Sequence, residues 1–255
     1  MPERRATPPV SKAPKPFANW DAVIPRDRVG GQEVIRGVMA FLGDRRQGKS
    51  ALAHWLADGL HERYGLPVLA WGIPKAAQQY FPDYYIHDSG DVEKMRKYRG
   101  HIVLADEMVV RANARRTMSD ENVGYGKTVA ISGQARQLLL FIFQHTRQVD
   151  FNIVGYANRI VFKLPTILHI RFARPELRPE VQKAREILLA KRNPRIWSYT
   201  VDYSSGRAGV LQNGLAPWWT ENSSESYSLA EAGELETPSQ RSQKSRGYAA
   251  IRRVV

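Results

Sequence analysis

Val38-Met39-Ala40-Phe41-Leu42, followed at once by Gly43-Asp44-Arg45-Arg46-Gln47-Gly48-Lys49-Ser50, joins a short unbroken apolar run to a polar loop bounded by glycines. An apolar run of this length ending in glycine fits a strand buried on both faces, as in a parallel sheet. After Ser50, the residues Leu52, Trp55, Leu56 and Leu60 fall on one stripe of a helix, and Gly65 supplies its stop. The loop between them matches G-x-x-x-x-G-K-[ST] in full. Its glycines let backbone N–H groups curl around phosphate oxygens. Lys49 adds a point charge for the outer phosphates and Ser50 a hydroxyl for Mg²⁺, while the helix start aims its positive end at the anion. At average residue frequencies the pattern arises in roughly one chain in a hundred of this length. The strand before it and the helix after it reduce that further. Gly43, Asp44, Arg45, Arg46, Gln47, Gly48, Lys49 and Ser50, with Ala51 behind them, are therefore the expected nucleotide-binding residues.

Outward from this loop, strand-like and helix-like runs alternate. Val68 to Trp71 and Ile102 to Ala105 read as strands, and a charged helical piece falls near Asp91 to Lys97. Leu138 to Phe143 is an emphatic buried strand. Arg159 to Leu164 and Ile167 to Phe172 suggest two more, and Glu176 to Arg192 an amphipathic helix. Trp197 to Tyr203 and Ala208 to Gln212 form a hairpin pattern around Ser204-Ser205-Gly206-Arg207. This alternation predicts an α/β domain with a mostly parallel central sheet. We expect it over residues 31–219. Residues 1–30 read as a basic, Pro-rich flexible arm whose stretch around Trp20 can dock on the domain, and 220–255 as a Ser/Glu-rich, then basic, disordered tail.

Two further strand ends carry polar residues. Ile102-Val103-Leu104-Ala105 runs into Asp106-Glu107. In a parallel sheet the C-terminal strand ends face the ligand crevice. Asp106 is then the expected second Mg²⁺ residue beside Ser50, and Glu107 the base that polarises an attacking water. Leu138 to Phe143 runs into Gln144, which can sense the terminal phosphate or orient water there. Arg147 is a candidate arginine finger for a neighbouring subunit's nucleotide.

The whole chain bounds the reading. It has 255 residues, no cysteine and a formal net charge of +13. Disulfides and thiolate chemistry are excluded, and polyanionic partners are favoured. No apolar run approaches the ~20 residues of a spanning helix, so we expect a soluble protein without stable membrane insertion. Arg111, Arg115, Arg116, Lys127 and Arg136 lie between the acidic pair and the Gln144 strand, and no acid occurs between Glu121 and Asp150. Such a stretch suits sequence-independent contacts to a DNA backbone. Tyr84, Tyr85 and Trp218-Trp219 could stack on bases or pack at a domain edge.

Gly43–Ser50, the Asp106-Glu107 strand end and the Gln144-x5-Asp150 segment together resemble the FtsK–HerA class of P-loop ATPases, over residues 34–172. Within it, the chain is similar to genome-packaging ATPases of tailless icosahedral viruses with jelly-roll capsids. The resemblance implies a RecA/ASCE-like three-layer α/β/α fold and ATP with Mg²⁺ as cofactors. It further implies a homo-oligomeric ring that translocates double-stranded DNA, and the basic tails make a capsid or portal-vertex protein a further candidate partner. The expected location is host cytoplasm or virion. His145 stands where many members have Arg directly after the Gln. Alternatives are a zonular-occludens-toxin-like phage-morphogenesis ATPase, a small-molecule kinase and a non-catalytic nucleotide switch. The first normally carries a spanning helix, and kinases normally lack an Asp-Glu pair.

Overall fold

The apolar runs become the middle of a nine-stranded sheet in the computed structural model, which describes residues 15–90, 92–106, 132–143 and 155–225. β4 (Gly37–Leu42) is flanked by β8 (Leu138–Phe143) and β9 (Arg159–Phe162), both parallel to it. Beyond β8 lie β7 (Ile102–Ala105), β5 (Val68–Trp71) and β6 (Tyr85–Asp88), all parallel. On the other side β10 (Trp197–Asp202) and β11 (Arg207–Gln212) form the antiparallel hairpin, and β1 (Lys15–Pro16) pairs parallel to β11. β2 (Arg26–Val29) and β3 (Gln32–Ile35) make a separate hairpin.

Strand alternation explains why the central runs carry no polar residue. Val38, Ala40 and Leu42 of β4 share one core with Leu139, Phe141 and Phe143 of β8. Met39 and Phe41 share the opposite core with Leu138, Leu140 and Ile142. Both faces are covered, so every side chain of β8 is buried. α1 (Lys49–Tyr64) covers one face through Leu52, Leu56 and Leu60. α2 (Ile167–Arg171) precedes α3 (Arg178–Leu189), which covers the other face through Val181, Ala184 and Leu188. This is the three-layer α/β/α arrangement with a mostly parallel sheet.

Several expectations need correction. The flexible arm expected over 1–30 is packed from Lys15 onward. Lys15–Pro16 joins the sheet, Val23 and Ile24 are 1% exposed, and Arg26 pairs with Asp21 and Glu33. The two buried apolar residues outweigh the local Pro and Arg content. Ile167 to Phe172, expected as a strand, is helix α2 with Phe172 as its C-cap. Pro165 interrupts the chain, and Thr166 caps the helix by accepting from the His169 N–H while His169 reaches back to the Thr166 N–H. Residues 221–225, expected within the disordered tail, are helical, and Ser223 is buried. Trp218 and Trp219 pack edge to face and tilted against His54 of α1, and Trp218 Nε1 donates to Asp58 at 3.0 Å. Tyr84 stacks on His61 and also donates to Asp58. These aromatics are used in packing C-terminal residues onto α1.

Candidate nucleotide site

The loop Gly43–Ser50 leaves the C-terminal end of β4 and enters α1 at Lys49. Gly43 has φ +153, and a Cβ there would lie 2.9 Å from Lys163 Cβ and 3.1 Å from its carbonyl oxygen. Only glycine lets the loop pass this close to the residue after β9. Gly48 caps α1 with a left-handed backbone, φ +77, which turns the chain so that α1 begins against the loop. Arg46 adopts the same left-handed region, φ 57.

Lys49 is 7% exposed, and its Nζ donates to the Asp44 carbonyl oxygen at 2.8 Å. The ammonium therefore lies folded across its own loop, where an outer phosphate of a nucleotide would stand. Ser50 Oγ donates to Asp106 Oδ2 at 2.8 Å. Asp106 directly follows β7, which lies two places from β4 in the sheet, with β8 between. One hydroxyl and one carboxylate held together are hard oxygen donors. Such a pair fits a magnesium ion that keeps several waters and takes phosphate oxygens as its other ligands. The expected Ser50–Asp106 pair is thus brought together by the fold. Glu107, Gln144 and Arg147 lie outside the described residues, as do Arg111, Arg115, Arg116 and Lys127. Arg136 is exposed, with φ 53, just before β8.

Lys163 was not singled out from the sequence. It follows β9, its N–H donates to the Leu42 carbonyl oxygen at 2.7 Å, and it is 1% exposed. Its ammonium donates to the Arg195 carbonyl oxygen and stands 4.0 Å from the position a Cβ would take on Gly48. Burial, with the charge of Lys49 added, pushes this ammonium down to about 7. A lysine after an apolar strand has no local signal that separates it from a solvated strand end. Only the β4–β9 register places it against the loop.

Loop, strand order and the hydroxyl–carboxylate pair together define a P-loop NTPase fold of the ASCE-like kind. No family model and no curated protein matches the chain. Solved structures do. The genome-packaging NTPase B204 of Sulfolobus turreted icosahedral virus 2, in complex with ATP-γ-S, is similar at TM-score 0.54 and 11% identity, over 71% of this chain and 98% of that one. The same protein with AMPPCP gives 0.53 at 11%, over 71% and 99%. The pCW3 conjugation coupling protein TcpA with ATPγS gives 0.50 at 13%, over 73% of this chain and 63% of that one. At these identities the likeness is one of fold. It bears out the expected P-loop α/β/α fold with a mostly parallel sheet.

Proposed function

We propose that this chain is an ATP-hydrolysing translocase of double-stranded DNA, and that its task is to drive a viral genome into a capsid. The observation that carries the reading is the 2.8 Å contact between Ser50 of the phosphate loop and Asp106 at the end of β7. A phosphate loop alone binds nucleotide. A carboxylate set beside its hydroxyl adds the means to hold the metal that makes the terminal phosphate reactive. The likeness to a viral packaging NTPase and to a conjugation coupling protein supports a DNA motor over a kinase.

Lys49 would leave the Asp44 carbonyl and donate to the phosphate chain. Ser50 and Asp106 would hold Mg²⁺, which when bound neutralises phosphate oxygens and orients the terminal phosphate. Glu107 would take the proton of the attacking water, and Gln144 would orient that water. Arg147 would act in trans across a homo-oligomeric ring. Arg111, Arg115, Arg116, Lys127 and Arg136 would contact the DNA backbone without reading sequence. The basic tails would dock on a capsid or portal-vertex protein.

The test is ATP turnover with and without double-stranded DNA at moderate salt, alongside native mass in the presence of both. Stimulation by DNA and a ring-sized assembly are expected. A strict monomer without stimulation, together with phosphate transfer to a small acceptor, would turn the reading to a kinase.

A further inference from the structure

Two lysines, not one, meet at the phosphate loop. Lys49 belongs to the loop itself. Lys163 arrives from the other side, from the end of β9, and forms the wall against which the loop turns. Its Cβ and carbonyl oxygen fill the space a side chain on Gly43 would need, and its ammonium lies 4.0 Å from the Cβ position of Gly48. The first and last glycines of the loop therefore both abut this one residue.

The side chain is almost completely enclosed, at 1% exposure. Among the described residues it has no carboxylate partner, and its ammonium donates to the backbone carbonyl of Arg195. Burying a lysine charge without a counter-charge is costly, the more so beside a second lysine. Tethering the Arg195 carbonyl does not call for a charge, since a neutral donor would serve. An anion held by the loop would offset both charges, since Lys163 Nζ lies 4.0 Å from the Cβ position of Gly48 and the charge of Lys49 acts on it.

We infer that Lys163 is a second phosphate-binding lysine, acting in cis from β9, which donates to the phosphate chain of a bound nucleoside triphosphate together with Lys49. This rests on the nucleotide-binding reading of the loop. It adds a residue that the loop motif does not contain.

The experiment is titration of the full chain with ATP-γ-S and magnesium for the wild type, Lys163→Met and Lys163→Arg, with the melting temperature of each taken without nucleotide. Lys163→Met keeps most of the stem volume and removes the charge. It should weaken ATP-γ-S binding at least about tenfold, the scale of one charge-assisted hydrogen bond. Its melting temperature without nucleotide should stay level or rise, because an unpaired buried charge is gone. Lys163→Arg should recover part of the affinity. Binding by Lys163→Met within twofold of wild type would overturn the inference. So would lost affinity accompanied by a lower melting temperature without nucleotide, or with no recovery in Lys163→Arg, because those mark a packing role. A wild type that binds no ATP-γ-S would overturn the nucleotide reading itself, and this inference with it.

Discussion

Ser50 Oγ donates to Asp106 Oδ2 at 2.8 Å across 56 residues of chain, and Lys49 folds over the same loop; the three stand in patterns suited to phosphate and magnesium chemistry and so were legible in the sequence. Lys163 was not legible, since its role comes from the register of β9 on β4 and not from its neighbours in sequence. Removing the loop charge with Lys49→Ala should abolish measurable ATP binding by calorimetry, even with Lys163 in place. The Asp44 carbonyl it caps would turn to water at small cost, so the fold should survive. Gly43→Ala should act differently. A Cβ 2.9 Å from Lys163 Cβ must displace β9 or the loop, so both stability and nucleotide binding should fall, read by thermal melting and titration together. Intact binding in Gly43→Ala would mean that the loop does not need its close approach to Lys163.

The elements read most securely from sequence were those buried on both faces. Val38–Leu42 of β4, with β7 and β8, are unbroken apolar runs because every position along them is buried. α1 was also secure, from its apolar stripe to its stop at Gly65, which caps the helix with φ 66 and an N–H bonded to the His61 carbonyl at 2.8 Å. Nothing lies near the missing Cβ of Gly65. Gly65→Ala should therefore cost only the left-handed backbone penalty, about 1–2 kcal/mol, in urea unfolding, with ATP affinity unchanged. The edge strand β6 escaped notice because Tyr85-Ile86-His87-Asp88 has no apolar run. Ile167 to Phe172 was misread because a short apolar run fits both periods, and the Thr166 cap decides between them. α1 also carries a titratable group in its packing. His54 lies among Phe81, Tyr85, Trp218 and Trp219, and burial, with the nearby His87, pushes its pKa down to about 3. The unfolded chain, titrating near 6.5, then binds more protons than the fold below that pH. The stability that His54 contributes is present above about pH 6.5 and is lost as pH falls toward 3. His54→Phe should flatten the dependence of urea midpoint on pH between 7 and 4. An unchanged slope would assign the acid sensitivity to other groups.

For the whole molecule, the parallel strands β4, β7 and β9 end on the same side of the sheet, so that the phosphate loop, Asp106 and Lys163 converge although they are far apart in the chain. The meeting of the phosphate loop with Asp106 was foreseeable from the alternation of strands and helices, whereas that of Lys163 was not. The contacts of Trp20 with Gly59 and of Trp218 with Asp58 agree with a docked Trp20 stretch and an aromatic domain edge, whereas the pairing of Lys15–Pro16 with β11 and the burial of Ser223 have no signal in their neighbours in sequence. No helix among the described residues is long and apolar enough to cross a membrane. Coupling of the site to DNA should appear as a faster ATP turnover on double-stranded DNA of any sequence, weakening as salt rises. The proposed hydrolytic centre is tested most directly by phosphate release from ATP and magnesium, measured in parallel for the wild type, Lys49→Ala and Glu107→Gln. We expect steady turnover by the wild type, neither binding nor turnover by Lys49→Ala, and ATP binding without turnover by Glu107→Gln. Phosphate release by Lys49→Ala at the wild-type rate would contradict the account at its centre.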